Sequence, residues 1–360
     1  MPPAQEKIAA LLASLVASGK ERGVQLAAYV GGEPVVDASA GFADAENQKP
    51  VDGSTLFPIF SSGKGISATV IHRLVERGVL DYDRPLAALW PEFAAEGKGG
   101  ITLRHVLRHS SGLSNLPGGL DHAGLCDWGT MTAALARSRP LSAPDEKIVY
   151  HAMTQGWLLG EPARRADGRP FEQLVREEIA LPLGIGEEFF IGLPAAEEPR
   201  VAWLDSVEAQ VPGASNAAAL GTPEAVPFWI QPLHEWMNRS DSRRACIPAS
   251  NGITSARALA KHYAALLPGG VDGIELLTPE RVVLASRPSA PAGMPEENIG
   301  WRGGLGYSFA ERGFGHPGFG GSVGFADLER GVAVGFTRNL YGANLETPEI
   351  FRALYEALGF

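Results

Sequence analysis

Phe57-Pro58-Ile59-Phe60-Ser61-Ser62-Gly63-Lys64-Gly65-Ile66-Ser67-Ala68-Thr69-Val70-Ile71-His72 sets a hydroxyl three residues ahead of an amine. It does so at the start of a segment that reads as a buried helix, because Ile66, Val70, Ile71, Leu74 and Val75 recur at helical spacing. Positions i and i+3 share a helix face. Ser61 and Lys64 therefore point the same way, close enough to share a proton. A serine hydroxyl is a poor nucleophile at neutral pH and needs an adjacent base. A lysine amine taken out of water loses its proton more readily and can serve. Of the seven lysines in the chain, only Lys64 follows a serine by three residues. An N-cap serine followed by a solvated lysine would have the same spacing. The apolar flanks Phe57, Ile59 and Phe60 argue instead for a buried lysine, which is costly unless it is used.

Working outward, 360 residues are enough for one large domain or two interleaved ones. With 45% apolar and 20% charged residues, the chain reads as globular. A formal net charge of −10 argues against nucleic acid and anionic membrane surfaces as partners. Cys126 and Cys246 allow at most one disulfide, so there is no disulfide framework; both are expected to pack as small apolar groups. Ile8, Leu11, Leu12, Leu15 and Val16 form one helix face. Glu6 beside Lys7 weakens the basic flank a signal peptide requires. This stretch is therefore read as a structural helix, and the protein is expected to be cytoplasmic. No apolar run approaches the roughly 20 residues of a membrane span.

Val24–Val30 and Pro34–Ala38, joined at Gly31-Gly32, read as a hairpin; Val323–Asp327 and Val332–Thr337 read as a second one. Between them lie helical patterns at Leu103–His109, Thr130–Arg137, Thr154–Ala166, Phe171–Ile179 and Ser255–Leu267. The last helix starts at Thr347-Pro348 and stops at Gly359. The expected fold class is α+β, an α/β sandwich: an antiparallel sheet flanked by helices and built from both chain ends (1–75 and 250–360). A mainly helical domain (76–249) is inserted, and the active site is placed at the seam. The stretch from Leu193 to Pro248 is Pro-rich and aperiodic, and loops of that length are commonly functional. Its aromatics Trp203, Phe228, Trp229 and Trp236 are candidate lining for a substrate pocket.

Three further stretches join Ser61-Ser62-Gly63-Lys64. They are Ile101-Thr-Leu-Arg-His-Val-Leu-Arg-His-Ser-Ser-Gly-Leu113, Ile148-Val-Tyr150-His-Ala-Met-Thr-Gln-Gly-Trp-Leu-Leu-Gly160, and His316-Pro-Gly318 before Phe319-Gly-Gly-Ser-Val-Gly-Phe325. Together and in this order, from about residue 8 to 358, they resemble the serine β-lactamase and penicillin-binding-protein superfamily. The resemblance is closest to its class C-like members and the family VIII carboxylesterases. It implies a β-lactamase/transpeptidase-like fold. It further implies Ser61 as the acylated nucleophile, Lys64 and Tyr150 as the pair that moves its proton, and the backbone N–H groups of Ser61 and Phe319 as an oxyanion hole. His316 and Gly318 would sit at the substrate-facing strand, with His316 orienting substrate, assisting the Tyr150 proton or only holding the strand. No metal and no cofactor are implied.

The departures from that pattern point to a substrate class. Where the superfamily often has Tyr-x-Asn, Ala152 stands for the asparagine. Where β-lactamases have Lys-Thr-Gly, this chain has His316-Pro317-Gly318, and its last lysine is Lys261. The missing groups would bind the amide and carboxylate of a β-lactam. The expected substrate is therefore a carboxylic ester of small or medium size. Alternatives are a β-lactamase or D-alanyl peptidase, an acyltransferase, and a catalytically silent ligand-binding homologue. Ser322, in Gly320-Gly-Ser322-Val-Gly324, matches the elbow of another hydrolase class, but that elbow needs a helix after the serine, and here an apolar strand follows. His105 and His109, four apart, could ligate zinc only with a third ligand that the sequence does not offer.

Overall fold

A computed structural model describes residues 2–206, 224–310, 313–341 and 347–360. Residues 207–223 of the aperiodic stretch lie outside them. The strands in chain order are β1 (Gly23–Val30), β2 (Glu33–Asp44), β3 (Lys49–Pro50), β4 (Phe57–Phe60), β5 (Phe189–Ile191), β6 (Asp205–Ser206), β7 (Gly252–Thr254), β8 (Ser308–Ala310), β9 (Gly313–Pro317), β10 (Val323–Asp327), β11 (Val332–Arg338) and β12 (Leu340–Tyr341). Seven of them form one antiparallel sheet in the order β3-β2-β1-β11-β10-β9-β8. Three come from the first 50 residues and four from the end of the chain, so both termini build the sheet.

Local chemistry fixes the two hairpins. Gly31 and Gly32 both have positive φ, as a two-residue turn matched to strand twist requires. In the second hairpin the Asp327 carboxylate accepts the N–H groups of Glu329 and Arg330 and folds the turn into β11.

Side-chain alternation sorts the sheet into two faces. Val24, Leu26 and Ala28 of β1 join Val332, Val334 and Phe336 of β11 under two helices, α1 (Pro2–Ala17) and the helix Thr347–Leu358. Ile8, Leu12 and Leu15 are the buried stripe of α1, as their spacing predicts. Ala27 and Tyr29 face the other way, toward the helix Ala256–Ala264 and α2 (Gly63–Glu76). Gly324 and Gly335 let Ala256–Ala264 lie directly on the sheet. A Cβ on Gly335 would collide with the Ala256 carbonyl, and one on Gly324 with Tyr263. The serine of the Gly320–Gly324 motif thus belongs to a close-packed strand junction. Ser322 is buried, and β10 rather than a helix follows it.

Residues between the two sheet-forming ends are mostly helical: Leu103–Leu107, Trp128–Arg137, Gln155–Asp167 and Phe171–Val175, the last widening into a π-turn over Arg176–Ala180. One element breaks that pattern. Strand β5, with no periodicity long enough to read, pairs with β7, which pairs with β4. The short sheet β4-β7-β5 therefore ties the middle of the chain to the segment that carries Ser61. Among the described residues no helix is long and apolar enough to cross a membrane.

Candidate active site

Strand β4 ends at Phe60, whose φ of +46° is a conformation that bulky residues avoid. This kink turns the chain sharply from β4 into α2 and leaves Ser61 at the corner. Ser62 anchors the corner by donating its hydroxyl to the Ser322 carbonyl at 2.9 Å. One turn later Lys64 reaches back, its Nζ 2.9 Å from Ser61 Oγ. The predicted i, i+3 pair is formed.

Lys64 is 1% exposed. Its Nζ lies 2.6 Å from the Ala152 carbonyl and 2.7 Å from the Ala249 carbonyl. Burial holds this amine well below the usual lysine range. A neutral amine has two hydrogens and one lone pair. The two carbonyls only accept, so in the neutral form they would take the two hydrogens and leave the lone pair for Ser61 Oγ. A second buried lysine, Lys98, shows the contrast. Its Nζ donates to three carbonyls, those of Ala95, Ala136 and Ser138, and touches no nucleophile.

Tyr150 meets this pair from the middle of the chain. Its ring centroid lies 5.0 Å from Lys64 Nζ, and its phenol is near enough to the Ser61 side chain to be influenced by it. Burial pushes the phenol up, far above neutrality, with the Ser61 side chain opposing it. Desolvation therefore favours the uncharged form of both groups, amine and phenol.

His316, on β9, stacks on Tyr150 with ring centroids 6.1 Å apart. Its Nδ1 lies 2.7 Å from the Pro317 carbonyl, which can only accept, so the ring hydrogen is on Nδ1. Nε2 is then a lone pair, buried and without a partner. Burial, with the nearby Lys64, pushes this imidazole down to about 3. Gly318, two residues on, is pressed against the nucleophile corner. A Cβ there would collide with the Ile59 carbonyl and stand 2.8 Å from Ser62 Oγ. Phe319 follows, its ring 5.7 Å from that of Phe60.

Beneath Tyr150 lies a buried polar shelf that sequence reading assigned no function. His109 is not on a helix with His105. It follows the helix, at φ +63°, with its ring 4.8 Å from that of Tyr150. Its Nδ1 accepts the His151 N–H at 3.0 Å. His151 Nδ1 donates to the Val149 carbonyl at 2.6 Å, so its Nε2 accepts from Ser111 Oγ at 2.7 Å. The only sequence signal for this shelf was the proximity of these residues to Tyr150 and to the Ser110-Ser111 motif. His105 instead caps its own helix with Thr102.

A cleft opens beside Ser61. Phe60, Ala152, Met153, Val226, Leu233, Trp236, Ser250 and Phe319 line it, and none carries a charge. Of the four candidate aromatics, Trp236 is in this lining. The other three, Trp203, Phe228 and Trp229, are 52%, 66% and 44% exposed and lie outside the described lining of this cleft. Trp203 instead borders a separate surface depression with Arg22, Asp44 and Asp205. An aperiodic segment gives no face for its aromatics, so composition could not separate the one that turns inward. Cys126 and Cys246 are both free thiols. Cys246 packs on the core, whereas Cys126 contacts His122 at 3.6 Å.

The chain was compared with known proteins. A family model described as Beta-lactamase matches residues 8–358. The esterase/beta-lactamase LipL of Mycobacterium tuberculosis is 36% identical over 345 residues, covering 91% of this chain and 79% of LipL. A crystal structure of a family VIII carboxylesterase superposes with a TM-score of 0.87 at 32% identity, over 99% of this chain and 98% of the other. A penicillin-binding protein homolog from Caulobacter crescentus superposes with a TM-score of 0.82 at 33% identity, over 98% and 97%. A β-lactamase/transpeptidase-like fold, an antiparallel sheet with flanking helices and a family match spanning nearly the whole chain lead to one statement: the protein belongs to the beta-lactamase family and is a serine hydrolase.

Proposed function

We propose that the protein hydrolyses carboxylic esters of small or medium size through an acyl-enzyme on Ser61. The observation that supports this reading is the buried Lys64 Nζ, 2.9 Å from Ser61 Oγ and held by the Ala152 and Ala249 carbonyls; in its neutral form that amine would turn its lone pair to the hydroxyl. In the first step Ser61 Oγ attacks the ester carbonyl carbon and its proton passes to Lys64. The backbone N–H groups of Ser61 and Phe319 hold the developing oxyanion, each such donor being worth about 3–4 kcal/mol of barrier. Collapse expels the alkoxide, which takes the proton through the Tyr150 hydroxyl. Water then attacks the acyl-enzyme and gives its proton to the Lys64–Tyr150 pair. The acid leaves as Ser61 is reprotonated. Since His316 is neutral with a free Nε2, its part is to accept a hydrogen bond from substrate or water rather than to supply a proton.

The described lining of the cleft favours an ester over a β-lactam. Among the described lining residues a β-lactam carboxylate would meet no lysine or arginine. The test compares a short-chain p-nitrophenyl ester with a chromogenic cephalosporin. Ester turnover exceeding cephalosporin turnover is expected; rapid cephalosporin cleavage with a dead ester assay would reverse the assignment. Adding an alcohol acceptor and analysing products separates hydrolysis from acyl transfer.

The position of the second oxyanion donor depends on Gly318. Gly318→Ala forces the β9 end away from the Ile59 carbonyl. It is expected to lower kcat by about 10²-fold or more, with ester KM much less affected. An unchanged kcat would remove this strand from the catalytic geometry.

A further inference from the structure

We infer that Trp236 sets the acyl-chain length the cleft accepts, and that His122 and Asp241 hold its indole in place. The inference rests on the esterase reading and goes further by assigning specificity to a residue. Trp236 is the largest side chain in the cleft lining and is only 4% exposed. It sits on the helix Leu233–Asn238 beside Leu233, which lines the same wall. It is also the one apolar wall residue with a polar handle. Its Nε1–H donates to His122 Nδ1 at 3.3 Å.

This bond fixes the tautomer of His122. An indole nitrogen only donates, so Nδ1 must be the bare nitrogen of the imidazole and Nε2 must carry the hydrogen. Nε2 lies 2.9 Å from Asp241 Oδ2, an acceptor. Asp241 is itself gripped by Arg239 through both oxygens, at 3.0 and 2.7 Å. A chain of directed bonds thus runs from the surface carboxylate through the imidazole to the indole. His122 and Asp241 touch no reacting atom and act only through Trp236, as positioning residues. Each methylene added to an acyl chain must find apolar room, and a rigid indole denies that room where a flexible wall would yield.

The experiment measures kcat and KM for p-nitrophenyl acetate, butyrate and octanoate with the wild type and with Trp236→Ala, Trp236→Phe, His122→Phe and His122→Asn. The octanoate-to-acetate ratio of kcat/KM is expected to rise at least tenfold in Trp236→Ala and in the same direction in Trp236→Phe, which keeps an apolar ring but drops the N–H. His122→Phe, which loses both bonds, should move the ratio toward that of Trp236→Phe, chiefly through KM for octanoate. His122→Asn, which keeps an acceptor for the indole, should restore the wild-type ratio. Identical chain-length profiles in the wild type and both Trp236 variants would overturn the inference while leaving the esterase reading intact. His122→Phe and His122→Asn behaving alike would overturn the positioning chain. A wild type that cleaves none of the esters would overturn the esterase reading and this inference with it.

Discussion

Lys64→Met is expected to lower kcat/KM for ester hydrolysis by at least about 10³-fold, in keeping with the loss of a positioned general base, and to leave a folded protein. Methionine fills nearly the same volume but offers no proton acceptor. The Ala249 carbonyl, left buried without a donor, costs about 1–3 kcal/mol, while the Ala152 carbonyl keeps a long bond from Ser250 Oγ at 3.5 Å. Opposing this, burial depresses the native amine below its usual range, whereas in the unfolded chain it carries a proton below about pH 10.4. Burying the amine therefore disfavours folding, and methionine removes that penalty. Because the folded-state value is depressed, the stability of the wild type should rise with pH between that value and about 10.4, and this slope should be absent in Lys64→Met. Lys64→Arg should be as inactive as the methionine variant, since a guanidinium does not give up its proton. Near-normal burst kinetics in Lys64→Met would show that the lysine is not the activating group.

Marked acid lability is the second large effect. Five imidazoles are buried and held neutral by desolvation: His72 and His151 at about 4, His262 and His316 at about 3, and His109 well below its usual range. In the unfolded chain each titrates near 6.5. Between about pH 6.5 and 4 the unfolded state therefore binds more protons, so stability falls as pH falls through this window. Each imidazole contributes up to about 1.4 kcal/mol per pH unit. Acting together they can remove the stability of an ordinary domain, about 5–15 kcal/mol, before most carboxylates begin to protonate. The urea midpoint should drop steeply between pH 7.5 and 5.5. His262, whose Nδ1 has no partner, provides the check: His262→Phe should reduce the slope by one proton. A midpoint that stays flat down to pH 5.5 would contradict the burial of these rings.

The local signals in the chain translated well into structure. Gly31-Gly32, the stripe of α1 and the Ser61–Lys64 spacing are all short-range patterns, and each formed the element its periodicity implies. What sequence could not show is carried by distant backbone or by single buried atoms. The acceptors that orient Lys64 are carbonyls 88 and 185 residues away, and a carbonyl leaves no mark on residue type. His105 and His109 read as four residues apart on one helix. The chain leaves the helix before His109, which turns its ring toward Tyr150 instead. The aromatics of the aperiodic stretch show the same limit, because Trp236 and the exposed Trp229 differ in burial, not in composition.

Peptide mass mapping after reaction with a fluorophosphonate, run on the wild type and on Lys64→Met, tests the central claim most directly. The account predicts a single adduct on Ser61 of the wild type and a rate of labelling lowered by orders of magnitude in the variant. An adduct on Ser322, or equal labelling of Ser61 in both proteins, would contradict it.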